Sequence, residues 1–242
     1  MDRMIYLAMA GAKATMQRQD VVAHNLANAS TPGFRAELAA FRAVPVRGDG
    51  ASTRVYALES TPGYKAEAGP VQATGRNLDV AMRGNAWLAI QASDGTEAYT
   101  RAGALDADPE GQLVTRSGQV VLGEGGPITL PPNAEVKIAA DGTVSARVAN
   151  GRPQGVGKLK LVTPEAAMQR GSDGLFRAAE GDDLPTDATA GVQTEALEGS
   201  NVSPVESMVA MIAAARQFEQ QMKMLQSAQE REQSATRLLS NS

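Results

Sequence analysis

The chain has 242 residues, of which 43% are hydrophobic and 4% aromatic, and its formal net charge is −4 at pH 7. The negative charge argues against a nucleic-acid partner, because proteins that bind nucleic acids usually present a basic face to the phosphates. The chain contains no cysteine, which excludes disulfides, thiolate nucleophiles and most zinc sites.

Residues 1–28 have the pattern of an amphipathic helix. One set of small, apolar or weakly polar residues recurs at alternating spacings of three and four, which is the a/d pattern of a coiled coil. These positions are Ile5, Ala8, Ala12, Thr15, Gln19, Val22 and Leu26. The apolar run from Met4 to Ala12 is short for a secretion signal, and the residues before it carry one acid and one base. We therefore expect no cleaved signal peptide.

Thr31-Pro32-Gly33 ends this helix, since proline cannot continue a helix and glycine permits a sharp turn. We expect Asn25 and Asn28 to help end the helix through side-chain hydrogen bonds. We expect Phe34 to anchor the turn by burying its ring. Residues 1–34 are therefore predicted to form the first domain of the chain.

The middle of the chain has the sequence pattern of β-structure. Proline and glycine interrupt residues 35–77, which predicts an extended connector with brief strands. Residues 78–177 predict an all-β domain of short antiparallel strands. Its strand candidates are residues 78–80, 87–90, 112–114, 119–122, 128–130, 135–138, 143–145 and 158–162, and hairpin-type dipeptides lie between them at Asp94-Gly95, Glu110-Gly111, Asp141-Gly142 and Asn150-Gly151.

Residues 178–199 predict an acidic, solvated loop that returns to a C-terminal helix. No lysine or arginine lies between Arg177 and Arg216, whereas seven acidic residues do. The acidic residues are Glu180, Asp182, Asp183, Asp187, Glu195, Glu198 and Glu206.

Residues 200–242 predict a second amphipathic helix. Ser203 is suited to cap its start, Pro204 to occupy the first helical position, and Glu206 to complete a capping box. An a/d pattern follows at Met208, Met211, Ala215, Phe218, Met222 and Leu225.

Neither terminal helix is apolar enough to be stable alone in water, so each needs a partner. That partner is the other end of the chain or the ends of neighbouring copies. The predicted fold class is thus α+β, with the N- and C-terminal helices pairing as a coiled coil and a central all-β domain between them. Such a chain is suited to polymerise.

None of the candidate catalytic or metal sites has the full set of residues that its chemistry requires. His24 is the only histidine, so we interpret it as a helix-end or interface residue. Asp106, Asp108 and Glu110 resemble the start of a calcium loop, but Ser117 occupies the position that requires a glutamate. The glycines near residue 125 lack the spacing of a phosphate loop. We expect no enzyme activity, no metal, no cofactor and no small-molecule ligand.

Three ordered sequence blocks resemble those of the flagellar rod, hook and hook-associated proteins. The first block is His24–Asn28 with Ser30-Thr31-Pro32-Gly33-Phe34, and its motif residues are Asn25, Leu26, Asn28, Thr31, Pro32, Gly33 and Phe34. The second comprises Gly75–Ala81, Ala98–Gly103 and Gly111–Val114. The third comprises Glu198–Val202, with Ser200, Asn201 and Val202, and Arg216–Glu219. The resemblance covers nearly the whole chain.

Within that family the chain is most similar to a proximal-rod protein, by its opening Met1–Tyr6, Trp87-Leu88-Ala89 and its ending Ala235–Leu239. A distal-rod member is the alternative. Gly199 departs from the family pattern, where we expect a less flexible residue.

The resemblance implies a structural subunit of the periplasmic rod of the flagellar basal body. Such a subunit is exported unfolded by the flagellar type III apparatus, without a cleaved signal peptide, and assembles with itself and with other proximal- and distal-rod proteins. The implied partners include no nucleic acid, and no membrane insertion is implied. An alternative from a different class is a soluble β-domain binding protein that dimerises through its terminal helices.

Overall fold

A computed structural model of the chain describes residues 2–45, 55–148 and 151–240. Two long helices and many antiparallel strands give an α+β fold with a β-rich central domain. The chain divides into two compact units. The helical unit comprises Met1–Ala29, Ala36–Lys65 and Val202–Ser242, and the β unit comprises Ser30–Arg35 and Ala66–Asn201.

The helical unit contains helices α1 (Asp2–Ala27) and α2 (Pro204–Ser240) and strands β1 (Glu37–Pro45) and β2 (Val55–Tyr64). The two helices contact each other. At one point of this contact, a Cβ atom placed on Gly11 would lie 3.2 Å from the side chain of Gln221. Ser203 begins α2, since its Oγ accepts a hydrogen bond from the backbone N–H of Glu206 at 3.4 Å.

Strands β1 and β2 form an antiparallel pair that contacts α1. Their nine and ten residues make them longer than the brief strands expected in the connector. The pairing is irregular between Leu38 and Ala40, opposite the stretch that contains Pro62. Proline has no backbone N–H to donate, and it is tolerated there because the strand pairing is interrupted at this point.

Asn25 joins α1 to β1, a role that differs from the expected helix stop. Its Nδ2 donates to the backbone oxygen of Glu37 at 3.0 Å, and its Oδ1 accepts from the Glu37 backbone N–H at 2.8 Å. His24 contributes a second contact, with 3.0 Å between its Nδ1 and Glu37 Oε2. Asn28 lies at the helix end and donates to the backbone oxygen of His24 at 3.0 Å.

The β unit contains sixteen short strands among its described residues. They are β3 (Val71–Ala73), β4 (Val80–Met82), β5 (Trp87–Gln91), β6 (Glu97–Thr100), β7 (Leu105–Ala107), β8 (Leu113–Thr115), β9 (Val120–Gly123), β10 (Gly126–Pro127), β11 (Glu135–Ile138), β12 (Thr143–Arg147), β13 (Gln154–Lys158), β14 (Leu161–Val162), β15 (Gln169–Arg170), β16 (Phe176–Arg177), β17 (Val192–Thr194) and β18 (Ala196–Glu198).

These strands form one large sheet and several small ones. The nine-stranded sheet has the order β15-β16-β6-β5-β9-β8-β7, with β10 paired to β9 and β14 paired to β5. A three-stranded sheet has the order β11-β12-β13, and the pairs β4-β17 and β3-β18 complete the unit. All of these pairings are antiparallel.

The core of the β unit is aliphatic and follows from the side-chain alternation of its strands. In β11 and β12 every second residue is buried, as expected for strands with one face on a core. Strand β5 is buried on both faces from Trp87 to Ile90. Gly95 and Gly142 have φ angles of +83° and +86°, so the Asp-Gly dipeptides supply the left-handed residue that these turns require. Asn150, in a fourth such dipeptide, lies outside the described residues.

The segment predicted as an acidic solvated loop differs most from expectation. It contains β17 and β18, which pair with β4 and β3. Val192, Ala196 and Glu198 are buried, so Glu198 is not a solvated charge. Local charge is a poor guide here because the segment returns to the core as two strands.

Candidate functional site

Two arginine side chains that are distant in sequence meet at the buried carboxylate of Glu198. Arg35 Nη2 lies 2.9 Å from Glu198 Oε1. Arg101 reaches the other oxygen, Oε2, with Nε at 2.7 Å and Nη2 at 2.6 Å. All three side chains are at most 2% exposed. We call Arg35, Arg101 and Glu198 the Glu198 cluster.

Backbone groups supply further hydrogen bonds to the cluster. The Arg101 guanidinium also donates to the backbone oxygens of Ala86 at 2.6 Å, Met82 at 2.9 Å and Gly84 at 3.1 Å. The N–H of Gly69 donates to Glu198 Oε1 at 3.1 Å, and Arg35 Nη1 donates to the backbone oxygen of Glu67. Two guanidiniums share one carboxylate, so these carbonyl dipoles offset the second positive charge.

A column of three aromatic rings and two guanidiniums lies beside the cluster. The Arg170 guanidinium stacks 4.5 Å from the ring of Phe34 and 5.6 Å from that of Phe176. Phe176 packs against Trp87 with 4.7 Å between ring centroids, and Arg101 lies 5.7 Å from the Trp87 ring. Arg170 Nη1 also donates to the backbone oxygen of Arg35 at 3.2 Å. These cation–π contacts hold the turn that contains Phe34 against the strands of the β unit to which it belongs.

The turn after α1 and the strand end before α2 lie side by side in the β unit. The backbone N–H of Gly33 donates to the Glu198 backbone oxygen at 2.7 Å, and that of Asn201 donates to the Phe34 backbone oxygen at 3.3 Å. Gly33 has a φ of +70°, and a Cβ there would lie 2.2 Å from the backbone carbon of Arg101. Only glycine fits this position.

The predicted motif residues lie in both units. In the β unit, Gly33, Phe34 and Ser200 are buried, Pro32 and Asn201 are half-buried, and Thr31 is exposed. In the helical unit, Asn25 is buried, and Leu26, Asn28 and Val202 are half-buried. The Asn201 side chain donates to the Glu67 backbone oxygen at 2.7 Å.

The predicted packing residues of α1 and α2 divide into inward and outward positions. On α1, Ala8 and Ala12 are buried, Val22 is half-buried, and the Ile5 side chain lies outside the described part of the structure. On α2, the half-buried positions Met211, Ala215, Phe218 and Leu225 are accompanied by Ser207, Ala214 and Gln221, which are half-buried or buried. Met208 and Met222 are exposed.

An apolar stripe therefore remains on the outside of α2. Val205, Met208, Val209 and Ile212 are 53 to 71% exposed, and their spacing places them on one helix face. We call these four residues the α2 stripe. Helix α1 exposes Met9 and Met16 in the same way. Exposed apolar side chains grouped on one face are typical of an interaction surface.

The titratable groups with shifted pKa values make hydrogen bonds within the β unit. Burial raises the pKa of the Tyr99 phenol, which donates to Glu97 Oε1 at 2.8 Å and accepts from the Leu184 N–H at 2.6 Å. Hydrogen bonds from Thr189 and Thr163 lower the pKa of Asp187 to about 2. Asp187 lines an open groove of about 550 Å³.

Over residues 2–45, 55–148 and 151–240, no three His, Cys, Asp or Glu side chains are grouped to hold a metal ion. In the same part of the chain, neither helix contains a segment both long and apolar enough to cross a bilayer.

Comparison with known proteins identifies the family. The model described as "Flagella basal body rod protein" matches residues 5–35, the FlgE/F/G D1 domain matches residues 81–146, and the FlgEFG C-terminal domain matches residues 193–238. The flagellar basal-body rod protein FlgF of Salmonella typhimurium is 50% identical, with 100% of both chains aligned. The chain belongs to the FlgF family of flagellar basal-body rod proteins.

Other relatives agree with this assignment. FlgF of Escherichia coli is 49% identical over 100% of both chains, whereas FlgG of Agrobacterium fabrum is 30% identical over 94% of this chain and 96% of its own. The distal-rod alternative is therefore less supported. This FlgF-family chain is a structural rod subunit, and its family is not known to be enzymatic.

Sequence reasoning missed the Glu198 cluster, although each member lies in or beside a family block. Arg35 directly follows Phe34, Arg101 lies within Ala98–Gly103, and Glu198 begins the third block. Opposite charges in or beside three separate glycine-containing blocks were the available signal. The structure brings the side chains of Arg35, Arg101 and Glu198 together.

Proposed function

We propose that this subunit polymerises through α1 and α2, which pair as a coiled coil within the chain and pack against the helices of adjacent subunits. The α2 stripe supports the second part of this proposal most directly. Four apolar side chains that do not cover α1 would be buried by a neighbouring helix, and each fully buried side chain of this type contributes about 1.5–3 kcal/mol.

The pairing within the chain is supported by the inward residues of both helices. Ala8, Ala12 and Thr15 are buried on α1, and Ala214 is buried on α2. Small side chains at these positions let the two helices approach closely, while the larger Met211 and Phe218 are half-buried beside them. The contact between α1 and α2 buries little apolar area. Neighbouring subunits would therefore supply much of the stability of the two helices.

The partners in this proposal are other copies of this chain and the other proximal- and distal-rod proteins, and the site of assembly is the periplasmic rod of the basal body, in its proximal part. The full-length similarity to FlgF supports this placement. Export without a cleaved signal peptide belongs to the same proposal. A contact between non-identical surfaces of successive subunits propagates, whereas a self-complementary contact closes as a dimer.

A charge placed in the α2 stripe tests the proposal. The variant Ile212→Glu puts a carboxylate in the α2 stripe, and Gln229→Glu puts the same group on an exposed α2 position outside the stripe and outside the family blocks. We expect Ile212→Glu to be exported but absent from purified basal bodies, and Gln229→Glu to be incorporated normally. Normal incorporation of Ile212→Glu would contradict assembly through this face.

A further inference from the structure

The two connections between the β unit and the terminal helices meet at the Glu198 cluster. Ser30–Arg35 follows α1 in the chain, and the segment from Glu198 to Asn201 precedes α2. Two backbone hydrogen bonds join them, from the Gly33 N–H to the Glu198 oxygen at 2.7 Å and from the Asn201 N–H to the Phe34 oxygen at 3.3 Å. The chain segment that follows α1 and the segment that precedes α2 are thus joined within the β unit.

This junction shortens the loop that must close for the helices to pair. Gly11 and Gln221 are in contact but are separated by about 210 residues of chain. When Gly33 and Glu198 are joined, the path between the two contact residues is only about 45 residues. Because closure probability falls with about the 3/2 power of loop length, the junction raises the local concentration of one helix near the other by about tenfold.

Burial makes the junction cooperative. Glu198 is the shared counter-ion of Arg35 and Arg101, and all three are at most 2% exposed. If the Arg35 side chain moves away from Glu198, the buried Oε1 atom loses its charged partner and water cannot replace it. A half-formed cluster is therefore unfavourable, and the cluster is either closed or open.

We propose that the Glu198 cluster is a positioning device that makes pairing of α1 with α2 depend on prior folding of the β unit. The two helices would pair only after the β unit has closed the cluster. The importance of this order rests on the proposed function, in which paired helices are the assembling surface.

The test measures helix pairing in the full-length monomer by chemical crosslinking. The chain has no cysteine, so Gly11→Cys with Gln221→Cys gives one unique thiol pair at the helix contact. A short bismaleimide reagent then reports how often the helices meet. The cluster variant is Glu198→Gln, and the matched control is Glu135→Gln, which removes an exposed carboxylate paired with Arg147 in the same unit.

We expect Glu198→Gln to slow crosslinking by threefold or more, toward the tenfold limit, and Glu135→Gln to leave the rate unchanged. Fluorescence of Trp87, the only tryptophan, reports whether the β unit is folded. An unchanged crosslinking rate in folded Glu198→Gln would overturn the proposal. Because the assay uses monomer, a failure here is distinct from failure of rod assembly, which is read in basal bodies.

A second measurement covers the case in which Glu198→Gln does not fold. In the protein that carries only the two cysteines, urea should reduce crosslinking in the same transition that changes Trp87 fluorescence. Crosslinking that persists at its full rate after the Trp87 transition would show that the helices pair independently of the β unit, and the proposal would be wrong.

Discussion

Replacing Glu198 with glutamine should destabilise the β unit severely. Glutamine has the same shape but no charge, so two buried guanidiniums lose their shared carboxylate, and the amide nitrogen cannot accept a hydrogen bond from either. Leaving a buried charge without its partner costs about 3–5 kcal/mol. For a unit of this size, such a loss lowers the melting temperature by roughly 10 to 20 °C.

Trp87 provides the assay, because its side chain is 2% exposed in the core of the β unit and it lies in the column beside the cluster. Thermal and urea unfolding followed by its fluorescence give the free energy of unfolding. The control Glu135→Gln should leave the melting temperature without measurable change, since exposed ion pairs contribute little. A loss of less than about 1 kcal/mol in Glu198→Gln would refute the argument that burial makes this charge essential.

Two further predictions concern the turn glycines and acid stability. Gly33→Ala should cost about 1–3 kcal/mol more than Gly75→Ala in urea unfolding; both glycines have φ near +70°, but a Cβ on Gly33 would meet Arg101 whereas one on Gly75 has nothing within 4 Å. Equal losses would contradict the packing of the turn on Arg101. The pKa of Asp187 is lowered from 3.8 to about 2, so its stabilising effect is present above pH 4 and is lost as the pH falls through 2. Asp187→Asn should therefore be less stable than the wild type at pH 5 and similar to it near pH 2, and a difference that is constant over this range would be evidence against the effect.

The helix ends and hairpin turns could be predicted because their signals are local. Ser203 and Pro204 mark the start of α2, and the Asp-Gly pairs mark turns whose glycines have positive φ. Such features depend on residues within one turn of each other. The α+β class followed from the same signals, because helical and strand periodicities occupy separate parts of the chain.

The inward face of α2 could be predicted only in part, because two helical patterns overlap. The predicted positions Met211, Ala215, Phe218 and Leu225 are half-buried. The other two predicted positions, Met208 and Met222, are exposed, and the residue before each of them is half-buried instead. Hydrophobicity favours the pattern that contains the two methionines, because their side chains are more apolar than those of the preceding residues. In the structure Ser207 and Gln221 take these places, and the methionines are exposed. A hydrophobic pattern does not distinguish a residue that covers its own chain from one that remains for another.

The Glu198 cluster could not be predicted because its members act over long sequence separations. Arg101 and Glu198 are 97 residues apart, and Glu198 lies at the end of an acidic segment in which solvation is the ordinary expectation. Its burial depends on the pairing of β18 with β3, which brings Glu198 opposite Val71. Three-residue strands of this kind carry too few residues to show a periodic signal.

The central claim is that this FlgF-family chain is a structural subunit of the proximal rod. Electron microscopy of basal bodies from a strain that lacks the gene tests it most directly. Rods that stop close to the inner membrane, and that are restored by the wild-type gene, are the predicted result; a break farther out would favour the distal position instead. Intact rods and flagella in the deletion strain would contradict the claim.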